Sequence, residues 1–225
     1  MSIIHWPIKE RPREKLLSQG AAALSQAEVL AILLRTGVAG KTALDLSREL
    51  LAKFGGLRQI MEADFEQFCK ISGLGPTKYA QLQAAKELGI RSLKETIETR
   101  GDAMQSPQDV YRYLRSKFRS YPYEVFSCFF LDNQNKFISF KELFFGSVNE
   151  AAIYPRELVR EVFKTNASAV ILAHNHPSGT PKPSEADKRI TKEIQSLFSL
   201  IGVRVLDHIV IGDEEVTSFA NEGLL

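Results

Sequence analysis

"ILAHNHPSGTPKPSEADKRI", residues 171–190, ends an apolar run in two histidines one residue apart, then returns through a Pro-rich loop to a serine and an aspartate. The slightly longer run "AVILAHNH" reads as a strand end. In an extended chain residues i and i+2 point to the same side, so His174 and His176 can converge on one ion. Pro177, Gly179, Pro181 and Pro183 stop the strand and make a stiff loop. A helical pattern then starts at Ser184 and carries Asp187 in its first turn, which brings a carboxylate back toward the histidines. Two histidines and one carboxylate, with a fourth position open, suit a catalytic zinc, with Zn–N distances of about 2.0–2.1 Å. Ser184-x-x-Asp187 is also a capping pair: a Ser N-cap and an acid three residues on satisfy free backbone donors and suit the helix dipole.

Outward from this stretch the chain divides by period. From about Ser25 to about Lys94 apolar residues recur at helical spacing, broken at Gly37, Gly40, Gly55, Gly56 and the "SGLGP" turn at 72–76. Ser25 and Glu28 in "LSQAEVLAILL" form a capping-box pattern. Beyond the polar linker "ETIETRGDAMQSP" come short β-branched and aromatic runs, "VFSCFFLD", "KFISFKELFF", "ASAVILAH" and "VRVLDHIVIG", alternating with helical patterns. The turn-rich "LDNQNKF", residues 131–137, predicts an antiparallel hairpin between the first two runs. The expectation is an α+β protein of two domains: an all-helical one over 1–103 and, over 104–225, a mixed sheet with helices packed on it.

Composition agrees with a folded chain without naming a partner. The 225 residues are 44% hydrophobic and 25% charged, enough for a proper core. No run is apolar and long enough for a signal peptide or a bilayer span, so the expected location is cytoplasmic, with no membrane partner. Cys69 and Cys128 have no paired metal-ligand spacing and read as buried free thiols. Net charge is +2; residues 1–105 hold fifteen Lys and Arg against twelve Asp and Glu, an excess that permits nucleic-acid contact there without implying it. Oligomeric state is not legible.

His174-x-His176, seven intervening residues, Ser184, two residues and Asp187 resembles the JAMM motif of the JAB/MPN zinc metalloproteases. The fuller "AHNHPSGTPKPSEAD", followed by "LDHIVIG", resembles the RadC branch of that family, bacterial proteins historically named for DNA repair. The resemblance implies a JAB/MPN-type α/β sandwich holding one Zn2+ per chain on His174, His176 and Asp187. It implies Glu124, at the start of the first strand of that domain, as general base toward the attacking water, and Ser184 as a hydrogen-bond donor to the water or the developing oxyanion. The implied reaction is zinc-dependent hydrolysis of an amide or isopeptide bond in a peptide or isopeptide substrate. Glu142, Glu150 and Glu157 also precede the histidines and stay open as alternatives to Glu124. His208, in "LDHIVIG", reads as structural or as a support to the ligands.

Two look-alikes are excluded. Zinc deaminases pair H-x-E with a downstream P-C-x-x-C, whereas here the third residue is His176 and both cysteines lie upstream. The contiguous letters "HNH" do not correspond to HNH nucleases, whose named residues are dispersed through a ββα unit.

In the helical half, "ISGLGPTKYAQLQAAKELGI" has a turn with Gly73 and Gly75, Pro76 placed for a helix start, and Lys78 in the first helical turn. It resembles the hairpin of helix-hairpin-helix domains, which implies sequence-independent DNA contact through Gly73, Gly75 and Lys78; a Gly-Pro turn between packed helices also needs no ligand. Two rival functions therefore stand beside hydrolysis: a DNA-binding repair or recombination factor with a structural or vestigial zinc, and a metal-dependent nuclease.

Overall fold

A computed structural model of the chain describes residues 3–100, 107–119, 121–146 and 153–225. Two compact units, Met1–Gly89 and Ile90–Leu225, divide within one long helix. The junction expected at 103/104 lies outside the described residues, as does Glu150.

The first unit is helical: α1 (Pro12–Gln19), α2 (Gln26–Leu34), α3 (Ala43–Phe54), α4 (Leu57–Glu62), α5 (Phe65–Cys69) and the first half of α6 (Pro76–Arg100). Capping boxes set two of the starts. Ser25 accepts from the Glu28 N–H and Glu28 from the Ser25 N–H; Thr42 and Asp45 repeat the arrangement at α3. Leu30, Leu34, Leu46, Leu50, Ile60 and Phe68 form the core of this unit.

The second unit is a five-stranded sheet in the order β2-β1-β3-β4-β5, with helices on both faces. Its elements are α7 (Pro107–Phe118), β1 (Val125–Leu131), β2 (Phe137–Phe145), α8 (Pro155–Thr165), β3 (Ala169–Asn175), α9 (Glu185–Leu200), β4 (Arg204–Ile211) and β5 (Val216–Ser218). The β1–β2 hairpin is antiparallel, as "LDNQNKF" predicts; Asp132 Oδ1 accepts from the Gln134 and Lys136 N–H groups in its turn. β1 also pairs antiparallel with β3, β3 runs parallel to β4, and β4 pairs antiparallel with β5. Every residue of β1 and β3 is buried. That is why both read as nearly unbroken apolar runs: helices cover both faces of the sheet.

Alternation along the strands decides what meets what. Val125, Phe129, Ala169, Ile171 and Ala173 pack with Val110, Tyr113 and Leu114 of α7 and with Ile97 of α6. Phe126, Cys128, Phe130, Val170 and Leu172 pack with Leu158 and Val162 of α8 and with Ile194 and Phe198 of α9. Cys128 is fully buried, and burial pushes its thiol pKa up; Cys69 is half-buried, and both thiols are free. Among the described residues no helix is long and apolar enough to cross a membrane.

Candidate metal centre

β3 is held between β1 and β4, with His174 opposite Phe126 on one side and Val210 on the other. Its parity sends His174 to the α8/α9 face, where the ring lies parallel to Phe126, 13° between planes at 6.2 Å. The His176 N–H still donates to the Ile211 carbonyl, 2.9 Å, so the strand geometry continues just far enough to bring the second ring to the same side. The two Nε2 atoms stand 3.0 Å apart. Gly212 then lets the loop return: a Cβ there would lie 2.4 Å from the Gly179 carbonyl oxygen, and the next residue, Asp213, donates its N–H to that oxygen. The loop is thereby pinned to the β4–β5 turn and delivers the chain to the start of α9.

At that start Ser184 and Asp187 form a complete capping box, with Asp187 Oδ2 2.6 Å from the Ser184 nitrogen and the Asp187 nitrogen 3.1 Å from Ser184 Oγ. The same carboxylate faces the histidines: Oδ1 is 3.3 Å from His174 Nε2 and Oδ2 is 3.5 Å from His176 Nε2. Capping and convergence on the histidines are thus one geometry, the cap fixing the carboxylate where the rings meet it. Burial alone would raise the Asp187 pKa, but the rings of His174 and His176, whenever they carry a proton on Nε2, donate to the carboxylate and outweigh burial, holding the group well below the usual carboxylate range. Asp187 in turn raises the pKa of His176, against its partial burial.

Glu124 directly precedes β1 and completes the cluster: donor atoms of Glu124, His174, His176 and Asp187 all lie within 4.8 Å of one another. The side chain of Asn175 holds the backbone on both sides of Glu124. Its Oδ1 accepts from the Val125 N–H at 2.7 Å and its Nδ2 donates to the Tyr123 carbonyl at 3.0 Å.

This donor set fits a metal. His176 Nδ1 must donate to the Thr180 carbonyl, 2.9 Å away, which in the neutral ring leaves a lone pair on Nε2 facing another ring nitrogen and a carboxylate. Acceptors crowded in this way suit a cation between them, a proton or a metal ion. A tetrahedral zinc with bonds of ~2.0–2.1 Å places its ligands about 3.3 Å apart, and the spacings here are 3.0, 3.3 and 3.5 Å.

The other acids lie elsewhere. Glu142 accepts from the Tyr121 hydroxyl at 3.0 Å and pairs with Lys117, while Glu157 pairs with Arg156 and Arg160 on α8. In the helical unit, Lys78 Nζ donates to the Thr36 carbonyl at 2.8 Å and reaches the Leu34 carbonyl at 3.4 Å, at the end of α2; burial lowers its pKa. Gly73 has φ +87°, and a Cβ there would lie 2.1 Å from Val38 Cγ1, whereas a Cβ on Gly75 would meet open space.

The residues that the motifs did not single out are Asn175 and Thr191. Thr191 is buried on α9 between the Asp187 carbonyl and His208. Only the position of Asn175 between two same-side histidines, which turns it to the other face, offers a signal in the sequence.

Sheet and donor cluster together define an α/β domain built around a possible metal site. Comparison with known proteins agrees: residues 104–224 match the RadC-like JAB domain, and residues 3–80 match the UPF0758 N-terminal family. A UPF0758 protein of Thioalkalivibrio sulfidiphilus is 57% identical over 225 residues, 100% of both chains. Another, from Nitrosococcus oceani, is 56% identical over the same span, and one from Stutzerimonas stutzeri is 54% identical over 223 residues, 99% of both. The chain belongs to the UPF0758 family, and its C-terminal part is a RadC-like JAB domain.

Proposed function

We propose that the protein is a zinc-dependent hydrolase of amide or isopeptide bonds, with His174, His176 and Asp187 holding the ion. The observation that carries this reading is the meeting of two imidazole Nε2 atoms and a carboxylate at 3.0–3.5 Å, beside a second acid held at a strand start. When bound, zinc supplies Lewis-acid stabilisation of developing charge and makes water nucleophilic near neutral pH. Glu124 takes a proton from the attacking water and returns it to the leaving amine. Asn175 fixes the backbone from which Glu124 projects. The Ser184 hydroxyl spends a lone pair on the Asp187 N–H, so its own proton stays available for the developing oxyanion.

Amide hydrolysis is favoured over a nuclease because phosphodiester cleavage commonly uses two metals, and the described residues contain a single donor cluster. DNA binding through the helical unit has less support, since Lys78 and Gly73 are both engaged inside that unit.

The test is turnover of quenched peptide and isopeptide-linked substrates by the zinc-loaded parent and by Glu124→Gln. The variant is expected to keep its zinc and lose about 10²–10⁴-fold in rate, the usual worth of a general base. Equal rates would remove Glu124 from that role.

A further inference from the structure

His208 is fully buried in β4, and both of its ring nitrogens are engaged: Nε2 lies 2.8 Å from His174 Nδ1, and Nδ1 lies 2.6 Å from Thr191 Oγ1. Thr191 Oγ1 is in turn 2.5 Å from the main-chain oxygen of Asp187, one helical turn earlier on α9. Atom types fix the direction of every bond in this chain. A carbonyl oxygen only accepts, so the single hydroxyl proton of Thr191 goes to Asp187. Thr191 Oγ1 must then accept from His208 Nδ1–H, which leaves the lone pair of neutral His208 on Nε2. That lone pair accepts from His174 Nδ1–H, and in the neutral ring the remaining lone pair of His174 is left on Nε2, facing His176 and Asp187. His176 reaches the same state in one step, through the Thr180 carbonyl.

Packing holds the chain rigid. His208 stacks on Phe219 at 4.8 Å and meets Phe126 edge-on at 5.5 Å, while Phe126 itself lies over His174. The route also starts and ends within the candidate ligand set: it runs from the main chain of Asp187, through β4, to the ring of His174. Strand β3 and helix α9 are therefore tied together behind the site as well as in front of it.

We propose that Thr191 and His208 are positioning residues that hold His174 in the Nδ1–H form with its Nε2 lone pair aimed at the metal. The proposal rests on the metal-site reading above. Groups that orient a ligating histidine through its other nitrogen are typically worth about 10–100-fold in metal affinity.

Two measurements on the full chain test it. Zinc affinity is determined by competition with a chromogenic chelator for the parent, Thr191→Val and Thr191→Ser. Valine keeps the shape of Thr191 but cannot accept from His208, whereas serine keeps the hydroxyl. Thr191→Val should bind zinc about 10–100-fold more weakly, and Thr191→Ser should stay within a few-fold of the parent. Independently, long-range ¹H–¹⁵N spectra of the parent should show His174 and His208 each protonated on Nδ1 and unprotonated on Nε2; this needs no variant and stands if Thr191→Val fails to fold. Unchanged affinity in Thr191→Val, or His174 protonated on Nε2 alone, would overturn the inference while leaving the metal site intact. A parent that takes up no zinc would overturn both.

Discussion

Asn175 shows how a single side chain couples the two halves of the site. Its neighbours His174 and His176 face one side of the sheet; its own amide faces the other and clamps Tyr123 and Val125, the residues flanking Glu124. The acid is thereby located by the same tripeptide that supplies the histidines. Asn175→Asp keeps the acceptor for Val125 but turns a carboxylate oxygen on the Tyr123 carbonyl, where the amide donated. Losing a buried hydrogen-bonded partner costs about 1–3 kcal/mol, and a displacement of about 1 Å at a reacting group can cost ~10²-fold in rate. We expect Asn175→Asp to retain zinc, as judged by elemental analysis, with kcat lowered by about 10²-fold; unchanged kcat would show that the clamp does not govern Glu124. At this scale His174, His176 and Asp187 are legible in the sequence, because strand parity and a loop that returns to a helix start are local rules. Asn175, Thr191 and His208 act through partners 50, 17 and 34 residues away, and such pairings leave no local pattern.

Capping is the device that positions the third donor at the scale of elements. The pattern Ser184-x-x-Asp187 admits two readings, and in the structure the capping box orients the very carboxylate that faces the histidines. The role proposed for the Ser184 hydroxyl separates from its role in the cap through one substitution. Glycine at an N-cap costs only a few tenths of a kcal/mol relative to serine and has no side-chain donor, whereas alanine loses the cap at a cost of about 1 kcal/mol. Ser184→Gly should therefore melt within a degree or two of the parent yet lose about 10²–10³-fold in kcat, as expected when an oxyanion donor is removed. Parent-like kcat in Ser184→Gly would take Ser184 out of the oxyanion role. The Ser25 box is legible for the same local reason, and Thr42 with Asp45 carries the identical signal at α3. β5, with three residues, is too short for its alternation to register.

Across the whole molecule, the switch from helical period to short apolar runs separates an all-helical unit from one built on a mixed sheet, and the structure has both. The order β2-β1-β3-β4-β5 is not legible in composition or period, since it depends on which distant strands pair. That order sets β3 beside both β1 and β4, and so brings Glu124, the two histidines and His208 to one end of the sheet. If this convergence holds a metal, elemental analysis of the purified full chain should find about one zinc per chain, as for a site with three protein ligands, and none in a His174→Ala/His176→Ala double variant. A parent that carries no metal and takes up none from added zinc would refute the metal site.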